Sequence, residues 1–94
     1  MTRAIRLSVD AEGDLDRLDD FLAEKAPAAA VRAAVVIAAG VESLRDLSER
    51  GHKVGPGLLR ELFVPFGRSA YVIQYTVDPG EVIVLRIFHS LEER

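Results

Sequence analysis

The sequence predicts an α+β fold of order β-α-α-β-β-β, a helical hairpin packed on one face of a mostly antiparallel four-stranded sheet. Three observations carry that prediction. Two stretches of apolar residues at helical spacing fill the first half, and three alternating or continuously apolar stretches fill the second. The later stretches are separated by the short Pro/Gly segments PFG and DPG, which suit antiparallel hairpins. With 94 residues, no internal repeat and no low-complexity tail, the chain reads as a single domain over 1–94.

Each element follows in order. Residues 2–8, TRAIRLS, alternate in polarity and read as a first strand. Ser8 or Asp10 caps a first helix in which Ala11, Leu15, Leu18 and Leu22, with Phe21 alongside, form the buried stripe and the carboxylates fall mostly on the other side. Pro27 opens a second helix, since its missing N–H has no partner in a first turn. Its stripe is Ala34, Ile37, Val41 and Leu44, widened by Val31, Ala38 and Leu47, and Gly51 ends it, with Arg45 and Arg50 in the last turns. HKVGPG, 52–57, is a loop. Strands then run over Leu58–Val64, Ser69–Val77 and Glu81–Phe88, with turns at Pro65–Gly67 and Asp78–Gly80.

Composition bounds the function. A net charge of −3 argues against a general nucleic-acid binder, because neutralising phosphates needs surplus Lys and Arg on one face. The charge is uneven, however. Between residues 10 and 24, Asp10, Glu12, Asp14, Asp16, Asp19, Asp20 and Glu24 stand against Arg17 alone, whereas between 50 and 75, Arg50, Lys53, Arg60 and Arg68 stand against Glu61 alone. Such asymmetry steers an oriented, charged partner. No cysteine is present and no apolar run reaches the ~20 residues a membrane span needs, so a reducing, cytoplasmic setting is expected.

The residues that invite a functional reading are Arg60, Arg68, Tyr71, Tyr75, Arg86 and His89. Arg60 beside Glu61 suits a structural pair or a ligand contact. Arg86 lies within an apolar strand, so either it meets a carboxylate or it waits for one on a partner. Tyr71 and Tyr75 share a strand face and read as core or interface aromatics. His89 is a candidate base at neutral pH, but no set of cations is evident beside it. His52 and His89, with no cysteine, make no recognisable metal site, and no cofactor is expected. One strand carries extra weight. VIVLRIF, 82–88, is apolar on both sides, Val82, Val84 and Phe88 against Ile83, Leu85 and Ile87. A second apolar sheet face is expected to be covered by another chain or by the fold's own tail and twist.

Several strings, DLDRLDDFLAE, LRDLSERG, LRELFV, YVIQYTV and VIVLRIFHS, taken in this order over nearly the whole chain, resemble the RelE/ParE toxins of type II toxin–antitoxin systems. The resemblance implies a RelE/ParE-like fold, a cognate ParD-like antitoxin that wraps the toxin in a hetero-oligomer, and growth inhibition when the toxin is freed. The nuclease branch places an Arg three residues before the second strand tyrosine, where this chain has Val72, and follows the last strand with a Tyr or an Arg-x-x-x-Tyr-like ending, where this chain has His89, Ser90, Leu91, Glu92, Glu93 and Arg94. Its loop offers Lys53 alone. The chain is more similar to the ParE-like branch, which implies a plasmid-stabilising inhibitor of DNA gyrase that acts by binding, with no catalytic residue. The rivals are a RelE-like ribosome-dependent mRNA endonuclease using Arg60, Arg68 and His89, and a member without toxicity that only binds its antitoxin.

Overall fold

A computed structural model describes residues 2–92; Met1, Glu93 and Arg94 lie outside it, the last two with the acidic ending read above. Its elements are β1 (Ala4–Leu7), α1 (Val9–Lys25), α2 (Pro27–Ser43), β2 (His52–Lys53), β3 (Arg60–Phe66), β4 (Ser69–Val77) and β5 (Glu81–His89). The sheet order is β1-β5-β4-β3-β2, with β1 parallel to β5 and every other pair antiparallel. The class is the one expected, with five strands in place of four. The added strand is His52–Lys53, inside the expected loop, held to β3 by the pairs His52↔Glu61 and Lys53↔Arg60.

Ser8 caps α1 by accepting the Ala11 N–H at 3.0 Å, and its own hydroxyl donates to Leu85 O at 2.7 Å. One side chain thus starts the helix and ties it to β5. Ala11 and Leu18 are buried, and Leu15 and Leu22 pack against them. Phe21 does not join the stripe; it is 58% exposed. Ala26 alone separates the helices, and Pro27 opens α2 as expected.

The inward face of α2 is its small-residue face, Ala30, Ala33, Ile37 and Gly40, while Val31, Val35, Ala38 and Leu47 are exposed. Close approach explains the choice: a Cβ on Gly40 would stand 2.7 Å from Val64 Cγ2. The α-helix stops at Ser43, well before Gly51, and continues as tighter turns through Leu44 N–H to Val41 O and Arg45 N–H to Glu42 O. Leu44 is fully buried there and plugs the core at the helix end.

The β3–β4 hairpin turns on two residues, Gly67 and Arg68, with Gly67 at φ +61°, where glycine meets no Cβ penalty. Pro65, expected in that turn, lies in β3 opposite Ala70. It sits on a stretch of β3 that has no outer neighbour among the described residues, where a missing N–H costs no ladder bond and makes the edge a poor template for another strand. The β4–β5 loop is as expected, Asp78 Oδ1 accepting from Gly80 N–H at 2.9 Å and Glu81 N–H at 2.8 Å.

A β-bulge in β5 corrects the two-faced reading. Gln74 pairs with Arg86 and Tyr75 with Val84, so Leu85 has no partner on β4, and its carbonyl goes to Ser8 instead. The extra residue turns Ile87 inward with Val82 and Val84, all fully buried, and sends Phe88 outward. The outer face keeps a short ridge, Phe63–Val72–Phe88, across three strands. His52 stacks on Phe63 at 5.4 Å, and the Arg86 guanidinium lies 4.8 Å over the Phe88 ring. Val72 is fully buried yet outside the main core cluster, covered by these neighbours of its own chain.

Candidate functional site

Strand β4 presents Tyr71, Ile73 and Tyr75 to the core under the two helices. At its far end the Tyr75 hydroxyl donates to Ser48 O at 2.9 Å and accepts the Gly51 N–H at 2.7 Å, pinning the segment that links α2 to β2. Arg60 reinforces the pin, its Nη1 donating to Gly51 O at 2.7 Å and Glu49 O at 3.3 Å. Burial pushes the Tyr75 phenol up, against the lowering effects of the Gly51 N–H and Arg60. Gly51 is therefore required for space: a Cβ there would meet the Tyr75 hydroxyl at 2.6 Å and Glu61 O at 2.8 Å.

Tyr71, itself buried at 3% exposure, lies beneath an indentation of the surface. A groove of about 550 Å³ lies between α1 and this end of the sheet. Leu18, Phe21 and Leu22 of α1 form one wall, Phe66 and Tyr71 the floor, and the turn from His89 to Glu92 the other wall. The Tyr71 ring contacts Phe66 at 5.6 Å and the His89 ring edge-on at 5.4 Å. Its hydroxyl makes no hydrogen bond to any described residue, and burial raises its pKa, with Glu92 adding to the shift. Arg68, on the tip of the adjoining hairpin, is exposed and has no ion-pair partner among the described residues.

Asp14 is the residue that sequence reasoning missed. It stands within an acidic run on a mostly solvated helix, yet is 4% exposed. Its Oδ2 accepts the Ile87 N–H at 2.8 Å on the stretch of β5 that β1 leaves uncovered. The Arg86 guanidinium forks onto both oxygens, at 2.8 and 3.0 Å, and Arg17 approaches Oδ1 at 3.2 Å. Burial alone would raise the Asp14 carboxyl, but the hydrogen bonds from Arg86, Ile87 and Arg17 outweigh it and hold it below the usual carboxylate value. Arg86 therefore meets its carboxylate within the chain. Arg17 also pairs with Glu92, so Arg86, Asp14, Arg17 and Glu92 form one chain of alternating charge from the outer sheet face round the edge of β5 to the groove.

Chemical capability can be read from the same contacts. His89 Nδ1 accepts the Leu91 N–H at 3.2 Å, which assigns the ring proton to Nε2, 3.0 Å from Ser69 Oγ. In that tautomer the imidazole donates to the serine and takes no proton from it. The structure thus brings Tyr71 and His89 together at the groove, with Arg68 on the hairpin tip at the same end, and keeps Tyr75 with Arg60 at the opposite end of β4; Arg86 stands apart, bound to Asp14. Among the described residues no cluster of His, Asp or Glu side chains could hold a metal ion, and no helix is long and apolar enough to cross a membrane.

A family model described as the ParE toxin of type II toxin–antitoxin systems matches residues 5–94. The chain belongs to the ParE toxin family. Among curated relatives in Caulobacter vibrioides, Toxin RelE1 is 44% identical over 94 residues, 100% of both chains, and Toxin RelE3 is 40% identical over 92 residues, 98% of this chain and 99% of the relative. The fold is similar to that solved for a chromosomal ParDE system from P. aeruginosa, with TM-score 0.81 at 22% identity over 94% of this chain and 96% of the other. It is also similar to the toxin–antitoxin complex RelBE2 from Mycobacterium tuberculosis, with TM-score 0.63 at 21% identity over 95% and 99% of the two chains. The protein is thus a type II toxin of the RelE/ParE superfamily. In this ParE-family toxin the two helices, the sheet and the groove are set by the contacts described above.

Proposed function

We propose that this toxin is held inactive by a cognate ParD-like antitoxin, part of which lies in the Tyr71 groove as a hetero-oligomer, and that the freed toxin acts in the cytoplasm by binding DNA gyrase and blocking replication. On this reading the chain is one domain without cofactor or catalytic residue. Tyr71 and His89 contact the antitoxin, with Arg68 at the rim, whereas Arg60, Tyr75 and Arg86 act by holding the surfaces in shape. The observation that carries the reading is the fate of the groups an RNA-cleaving site would need. Such a site requires a base for the 2′-hydroxyl and cations for the developing phosphorane charge. Val72 occupies the position where the nucleases resembled place a cation, Arg60 is committed to two backbone carbonyls, and His89 carries its proton toward Ser69.

A second reading, ribosome-dependent mRNA cleavage, is favoured by the relatives named RelE1 and RelE3. Expression of the toxin alone separates the two. Gyrase inhibition gives filamentation, DNA-damage signalling and accumulated cleaved DNA, with message intact. A nuclease gives rapid translation arrest with cut messages and no DNA-damage response, an outcome that overturns the proposal. Absence of both responses would instead mark a non-toxic binding module.

A further inference from the structure

The far wall of the groove is tied to β4 by Ser90, whose N–H donates to Ala70 O at 2.8 Å and whose hydroxyl accepts the Ala70 N–H at 3.1 Å, and to α1 by Glu92. Glu92 pairs with Arg17 through Oε2 and accepts the His89 N–H through Oε1 at 2.7 Å. The two partners of the ion pair are held very differently. Arg17 is anchored on α1, with Nη2 on the buried Asp14 carboxylate at 3.2 Å and on Ile87 O at 3.3 Å. Glu92 stands on a short turn beyond β5, beside Leu91, which is 81% exposed. A half-exposed pair of this kind contributes little net stability, and its loose member is readily exchanged.

We propose that Arg17–Glu92 is a self-latch, and that the antitoxin segment opens it by placing its own Asp or Glu on Arg17. This rests on the antitoxin reading above. The preorganised guanidinium suits a carboxylate. The surrounding chemistry fixes the rest of the occupant: Leu18, Phe21, Leu22, Phe66 and Tyr71 demand apolar side chains beside that acid. The other cations near the rim are Lys25, lying 4.7 Å over the Phe21 ring, and Arg68 at the hairpin tip. Of the carboxylates on α1, Asp14 is buried and already bound to Arg17 at 3.2 Å, and Asp19 lines the small recess next to the groove. The occupant is an amphipathic acidic segment, and Glu92 occupies the place of its acid until it arrives.

Two measurements test the latch. In the first, the toxin is titrated with 8-anilinonaphthalene-1-sulfonate, an apolar anion. Glu92→Gln is expected to bind the probe roughly two- to fivefold more tightly, the scale of a surface ion pair. Arg17→Gln weakens binding and Arg17→Lys restores most of it; equal affinity for the native chain and Glu92→Gln overturns the latch. In the second, the product of the adjoining reading frame is bound to the toxin and amide exchange is followed. The His89 and Leu91 amides are expected to lose protection while Ile87 keeps it, and Glu92→Gln to tighten the complex by a similar factor. Binding with unchanged protection at His89 and Leu91 overturns the latch and leaves the antitoxin reading intact. Failure of that product to bind, with the probe result as expected, overturns the antitoxin reading and the antitoxin as opener, while the Arg17–Glu92 pair still stands as a closure of the groove against anions.

Discussion

At one end of β4 the Tyr75 hydroxyl is caught between Ser48 O and the Gly51 N–H, with no exposed surface; four residues away on the same face, Tyr71 fronts a groove with its hydroxyl unbonded among the described residues. The residue type, strand and face are the same, and the difference lies in what the rest of the chain brings up. The α2–β2 connection supplies a carbonyl and an N–H to Tyr75 and closes over it. At Tyr71 the covering elements are α1 side chains and a short turn, which leave about 550 Å³ open. A buried polar group that finds its partners within the chain serves the fold, whereas one left beside an apolar groove is available to a ligand.

The closed end should be the fragile one. Gly51→Ala places a methyl group against the Tyr75 hydroxyl and Glu61 O, and is expected to cost about 3–4 kcal/mol in urea unfolding, with the whole β2 region loosened. Asp14→Ala, which strips the Ile87 N–H and the arginines of a buried acceptor, is expected to cost about 2–3 kcal/mol at neutral pH. The sign with pH follows from the lowered Asp14 pKa. Its contribution is fully present above the ordinary carboxylate range and is lost as pH falls through the lower folded-state value, so native protein and Asp14→Asn should converge in stability on strong acidification. Tyr75→Phe should cost about 1–2 kcal/mol by orphaning two buried backbone groups, against about 0.5 kcal/mol or less for Tyr71→Phe. Equal costs for the two tyrosines would erase the contrast between the ends of β4.

Much of this was legible in the sequence, and the departures have physical causes. The bounds of β4 and the Asp78–Gly80 loop follow from local alternation and turn chemistry, which act over a few residues. Gly51 looks like a helix stop because glycine serves that purpose often; here its missing Cβ makes room for a tyrosine 24 residues away, which no local pattern encodes. The β2 pair, at two residues, is made by β3 and has no periodicity of its own. The bulge at Leu85 reverses the facing of Ile87 and Phe88, so strict alternation misassigns both. Asp14 is indistinguishable in composition from the solvated carboxylates around it. Phe21 lies next to the helical stripe in sequence but is 58% exposed, lining the groove opposite Phe66 and Tyr71 rather than filling it. Candidate residues were found by type, but their division between the two ends of β4 is set by tertiary contacts.

The measurement that tests the account most directly is antitoxin affinity and unfolding midpoint determined together for Phe21→Asp and Tyr75→Phe. The division of roles predicts that Phe21→Asp keeps the native midpoint and weakens the antitoxin complex by roughly tenfold or more, a hot-spot loss, while Tyr75→Phe lowers the midpoint and leaves affinity nearly unchanged. Native affinity in Phe21→Asp, or loss of affinity confined to Tyr75→Phe, would contradict it and move the binding surface away from the groove.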